Sequence, residues 1–200
     1  MARCAFESRD GRRCPRPAHD GADRCAFHLS PAEREERGVG AAELRAAFRA
    51  DVAAGEERRE YVGVEAEALE LGSLLVDGDD VGHIVFRDAR VGEFDLSGSV
   101  VRHPLVFEDC EVGSLDATGA TFGDRVRLAG SVLGDDGPTC LRCRRTAFEA
   151  GLEVSDTVFR ASVELPACRV EGWLDFDGAR VEGRAHFPNA TLGRAQFVDT

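Results

Sequence analysis

Four residues near the N-terminus have the types and spacing to hold a metal ion: Cys4, Cys14, Cys25 and His28, arranged C-x₉-C-x₁₀-C-x₂-H. Three thiolates and an imidazole match tetrahedral zinc, and the tight Cys25–His28 pair can clasp one edge of the tetrahedron. Cys4-Ala5-Phe6 and Cys25-Ala26-Phe27 echo one another, each placing an aromatic ring two residues after a ligand. Gly11, Pro15, Pro17 and Gly21 between them are turn residues, suited to a chain wrapped around an ion. His19 is the weaker substitute ligand, since it sits beside Asp20 with no cysteine close by. A segment this short cannot bury enough apolar surface to fold alone, so residues 1–29 are expected to need structural zinc. The competing reading is a flexible tail with three incidental thiols.

Little else in the chain points to chemistry. Cys110, Cys140, Cys143 and Cys168 lie far downstream and bring the cysteine count to an odd seven, which argues against a disulfide framework. Cys140-x₂-Cys143 has knuckle spacing but no second ligand pair, and these thiols read as small core residues. His83, His103 and His186 are scattered, with no nucleophile at usable spacing. No phosphate loop, nucleophile elbow or dinucleotide fingerprint occurs. Neither Asp-rich loop, 77–83 or 134–140, has calcium-loop spacing. No catalytic or cofactor-binding residue is assigned, and the chain reads as a non-enzyme.

The charge bears on partners. The 200 residues carry 37 acids against 25 basic residues, all arginine, for a net charge of −12. Residues 1–28 run the other way, with six arginines against four acids. Nucleic-acid contact is therefore expected only through Arg3, Arg9, Arg12, Arg13, Arg16 and Arg24, if anywhere. A protein contact or a purely structural role suits a surplus of two charges better. No apolar run nears the roughly 18 residues of a membrane span, and the first residues lack a secretory apolar core, so the chain reads as cytoplasmic.

The elements that must position the cysteine cluster come directly after it. Ser30-Pro31-Ala32-Glu33 is a capping box that predicts a helix to about Arg37, stopped by Gly38. A second helix is predicted over Ala41–Ala54, with Leu44, Ala47, Phe48 and Val52 on one face. Residues 30–68 form a linker whose apolar face is expected to cover the open end of the C-terminal repeat region.

That region repeats every 10 to 11 residues, and in each unit an apolar residue, large except at Ala117 and Cys143, precedes a small one by three positions. The small position holds Ala89, Ser99, Cys110, Ala120, Ser131, Thr146, Thr157, Cys168, Ala179, Ala190 and Thr200, with no large intruder. So short and regular a period predicts a solenoid whose core is a stack of like residues. Two units per coil are expected, with about five coils. The repeat opens on a degenerate unit at Leu69, with oversized Leu74 in the small position. The insertions at 77–83 and 134–140 interrupt units an odd number apart, so they should leave opposite sides of the rod.

Phe122–Ser131 and Leu174–Val181 resemble pentapeptide-repeat proteins, in which a small and a large residue point inward every five positions. That resemblance implies a right-handed quadrilateral β-solenoid over 69–200. The present spacings alternate between five and six, as at Leu165, Val170, Phe176 and Val181. The Cys₃His segment, acidic helical linker and repeat together are similar to a haloarchaeal group of such proteins, and the acidity resembles that of halophile proteins. The expected function is a non-enzymatic scaffold for protein–protein interaction, with the zinc finger for anchoring or recognition. The resemblance also implies an alternative, an acidic DNA mimic acting on a type II topoisomerase. The uncapped unit at Ala195–Thr200 leaves open a homodimer formed end to end or more chain beyond it.

Overall fold

The computed structural model describes residues 2–9, 11–55, 58–78 and 82–198. Small residues at fixed spacing let the chain coil tightly, and short parallel strands stack from one coil to the next. Ile84 pairs with Leu105, Leu105 with Val126, and Leu152 with Leu174, so a plain coil takes 21 or 22 residues. The result is a mainly β solenoid of about six turns, with two units per coil as the repeat requires.

Stacking begins upstream of the Leu69 unit. Strand β1 (Arg58–Val62) pairs with His83–Arg87, and β2 (Glu65–Glu70) pairs with Arg90–Asp95. Tyr61 thereby heads a column of inward residues running through Phe86, Phe107, Leu128, Val154 and Phe176 to Phe197. Phe86 stacks on Phe107 at 5.3 Å and Phe176 on Phe197 at the same distance. Leu74 is buried in the column of small residues that Ser99 continues.

The small column explains its own composition. Hydroxyls buried there reach backbone carbonyls: Ser99 donates to Leu71 at 2.9 Å, Thr146 to Ala117 at 2.7 Å, and Thr157 to Leu128. A Ser or Thr therefore fits the slot without leaving a buried polar group unsatisfied. Two residues after each large central residue the backbone turns through positive φ. Gly63, Gly98, Gly119, Gly130 and Gly178 take this corner, as do Ser73, Asp88, Asp109, Asp156 and Asn189; Arg145 and Ala167 take it too.

The insertions leave different half-coils. The first comes after Val76, in the column of Val101 and Phe122; residues 79–81 of it lie outside the described residues. The second comes after Leu133, in the column of Val112 and Phe159. Thr200, the last small position, also lies outside the described residues.

The linker forms its two helices. α1 (Pro31–Arg37) has the full Ser30–Glu33 capping box and stops at left-handed Gly38. α2 (Ala41–Ala53) buries Leu44, Phe48 and Val52. Phe48 stacks on Tyr61 at 5.0 Å, so the helix lies over the first coil as its apolar face predicts. No helix among the described residues is long and apolar enough to cross a membrane.

Candidate metal centre

Backbone hydrogen bonds within the N-terminal segment set its shape. Two antiparallel bridges, Arg3–Pro17 and Glu7–Arg13, pull its first half into a narrow loop. The Cys14 amide donates to Phe6, and the Cys4 amide to Arg16, which brings the first two cysteines to one end of that loop. A turn over Cys25–Leu29 carries the remaining two ligands, with the His28 and Leu29 amides both donating to the Cys25 carbonyl.

Cys4, Cys14, Cys25 and His28 come together as the spacing predicts. Their ligand atoms lie within 4.8 Å of one another, and all four side chains are buried. Cys14 and Cys25 sulfurs are 3.8 Å apart, and His28 Nδ1 lies 3.4 Å from Cys4 Sγ and 3.3 Å from Cys25 Sγ. Sulfurs bound at about 2.3 Å to a tetrahedral ion stand about 3.8 Å apart, so the donors fit such an ion. The backbone amide of Cys25 donates to Cys4 Sγ at 3.2 Å. Cys14 is drawn down to about 3, first by its hydrogen bond with Cys25 and then by His28 and the Arg16 backbone against burial. The same Cys14 bond, with burial, pushes Cys25 up. A cation would relieve this crowding of thiol groups by taking the place of their protons. His19 is not part of the group, and neither is Cys140 or Cys143.

The two aromatics of the echo separate in role. Phe6 stacks flat on the His28 ring, 3.8 Å between centroids, while Phe27 meets Tyr61 edge-on at 5.2 Å. One shields the ligand and the other packs the segment into the solenoid core.

The second ring nitrogen of His28 is what sequence reasoning missed. Nε2 lies 2.8 Å from the carbonyl oxygen of Val62 in β1, which fixes the tautomer that leaves Nδ1 facing the thiols. Other cationic side chains of the cap treat the first coil alike. Arg16 donates to the Glu60 carbonyl at 3.1 Å, Arg34 to Glu65 and Arg45 to Gly72. The carbonyls of an end coil have no further strand to bond, and these four side chains take its place. No local sequence signal reveals such pairs, whose partners are 27 to 44 residues apart.

The segment's arginines are largely engaged. Arg12 pairs with Glu60 at 3.0 Å, Arg13 with Glu7 at 3.4 Å and Arg16 with Asp51, while Arg24 donates to the His28 carbonyl at 3.4 Å. The downstream cysteines are all buried and unpaired by disulfide. Among the described residues, no other group of His, Cys and acids comes close enough to hold a metal.

No family model, curated protein or solved structure matches the chain. The likeness to pentapeptide-repeat proteins rests on the repeat and on the stacked coils alone.

Proposed function

We propose that this chain is a non-enzymatic binding scaffold, a rigid rod whose outward faces engage a protein partner. A zinc-bound Cys₃His module is anchored on its first coil as a structural cap. The bond from His28 Nε2 to Val62 carries this reading, because one imidazole then serves both the ion and the first strand. Three thiolates with one imidazole favour zinc over harder cations. Seven free cysteines suit a reducing compartment such as the cytoplasm.

The outward faces interleave signs. Arg90 lies between Glu65 and Glu111 at 3.6 and 3.5 Å, and Arg127 meets Glu153 at 3.0 Å. Such a mixed surface favours protein partners over mimicry of uniformly charged DNA, and the engaged arginines of the module favour anchoring over phosphate recognition.

Photo-crosslinking residues placed singly at Glu93, Arg127 and Glu171 on the rod, and at Arg3 and Arg13 on the module, test the assignment. Crosslinks to one protein partner from rod positions are expected. Crosslinks confined to Arg3 and Arg13, or to nucleic acid, would overturn it.

A further inference from the structure

The three cysteines of the metal group do not meet solvent alike. A 620 Å³ cleft runs between the metal module and the first coil, and Cys14 and His28 line it while Cys4 and Cys25 do not. Cys14 is 7% exposed, open to a molecule hardly larger than water and closed to bulkier thiol reagents. Arg12, Arg13, Arg16 and Arg59 line the same cleft against Asp51 and Glu60, a surplus of cations.

A metal-bound cysteine is held as thiolate, the form that attacks a peroxide. Cationic surroundings favour both that thiolate and the hydroxide it displaces. Cys25 Sγ stands 3.8 Å from Cys14 Sγ, near enough to trap an oxidised Cys14 by closing to about 2.0 Å.

We propose that Cys14 is an oxidation site for hydrogen peroxide, and that its disulfide with Cys25 expels the zinc ion. The Cys14 thiolate attacks one peroxide oxygen, the O–O bond breaks, and hydroxide leaves to take a solvent proton and become water. The Cys25 thiolate then attacks the sulfur of the resulting sulfenic acid, the S–O bond breaks, and a second hydroxide leaves to become water. The two thiolates give up two electrons and the peroxide gains them. The ion is left with Cys4 and His28, half of a tetrahedral set. The downstream thiols take no part, since burial raises Cys110 to about 12 and Cys168 to about 11 and keeps them protonated. The inference rests on the zinc-bound module proposed above.

Hydrogen peroxide added in equal amount to the full zinc-bound chain tests it. Released zinc is read with a colorimetric chelator, and the cysteines are mapped by mass spectrometry. One ion should leave for each peroxide consumed, with a disulfide between Cys14 and Cys25, and a thiol reductant with added zinc should restore the starting form. A dimedone trap should capture the sulfenic acid on Cys14. Cys14→His keeps four zinc ligands without the oxidisable sulfur, and its zinc release should be at least about tenfold slower. Should that variant fail to take up zinc, the mapping in the unaltered chain decides. A purified chain that binds no zinc would defeat the zinc module, and this inference with it. A zinc-binding chain that keeps its ion under peroxide, or that forms its first sulfenic acid or disulfide without Cys14, would overturn the oxidation site alone.

Discussion

His28 Nε2 and the Val62 carbonyl oxygen, 2.8 Å apart, join the metal group to the first strand of the rod. His28→Cys separates the two duties of this residue, since a fourth thiolate can still complete the coordination. The variant should bind one ion yet lose about 1–2 kcal/mol in urea unfolding, the cost of an unmet buried carbonyl. Equal stability with metal bound would show that the bond to Val62 contributes nothing.

The seven thiols should divide into two classes. Burial raises Cys110 to about 12, Cys168 to about 11, and Cys143 and Cys140 above their ordinary range. At pH 8 these groups lie below their pKa values and stay as unreactive thiols. A thiol reagent should therefore label none of the seven while metal is bound, three after chelation and all seven in denaturant. Labelling of the solenoid cysteines in the native state would contradict the packing.

Ala167 holds left-handed backbone at φ 54°, at a corner that glycine occupies in five other half-coils. The strain of an L-residue there, about 1–2 kcal/mol, exceeds glycine's entropic cost of about 0.5–1 kcal/mol. Ala167→Gly should raise stability by about 0.5–1 kcal/mol in thermal or urea unfolding. A loss of that size would mean that the alanine methyl packs against something worth more than the strain.

Gly92 tests how closely the coils approach. A Cβ there would lie 2.5 Å from the Glu67 carbonyl oxygen, a backbone atom that cannot swing away. Gly92→Ala should cost about 1–3 kcal/mol, the usual penalty for forcing backbone apart. Unchanged unfolding would show that the first two coils can separate freely.

Much of this was legible in the chain because a solenoid repeats its constraints. Each small residue, from Ala89 to Ala179, faces the same crowded corner, so chance variation is filtered out. The ligands were legible because metal coordination demands rare residue types close together. The first half of the first coil was not, since Arg59 and Tyr61 occupy inward slots that apolar Ile84 and Phe86 fill one coil later. At the end of a stack an inward side chain meets the cap instead of another coil. Polar tips are tolerated there, and the repeat disappears from the sequence. The bonds of Arg16, His28, Arg34 and Arg45 to the end-coil carbonyls were equally hidden, because a carbonyl acceptor leaves no mark on residue identity.

Backbone hydrogen exchange across the chain, with metal bound and after chelation, tests the metal-held cap most directly. Protection of the amides in Arg58–Val62 and Glu65–Glu70 should fall at least about tenfold on chelation, while Leu105–Glu108 and Arg169–Asp175 keep theirs. Unchanged protection in the first coil, or an equal loss along the whole rod, would contradict a cap held in place by the ion at Cys4, Cys14, Cys25 and His28.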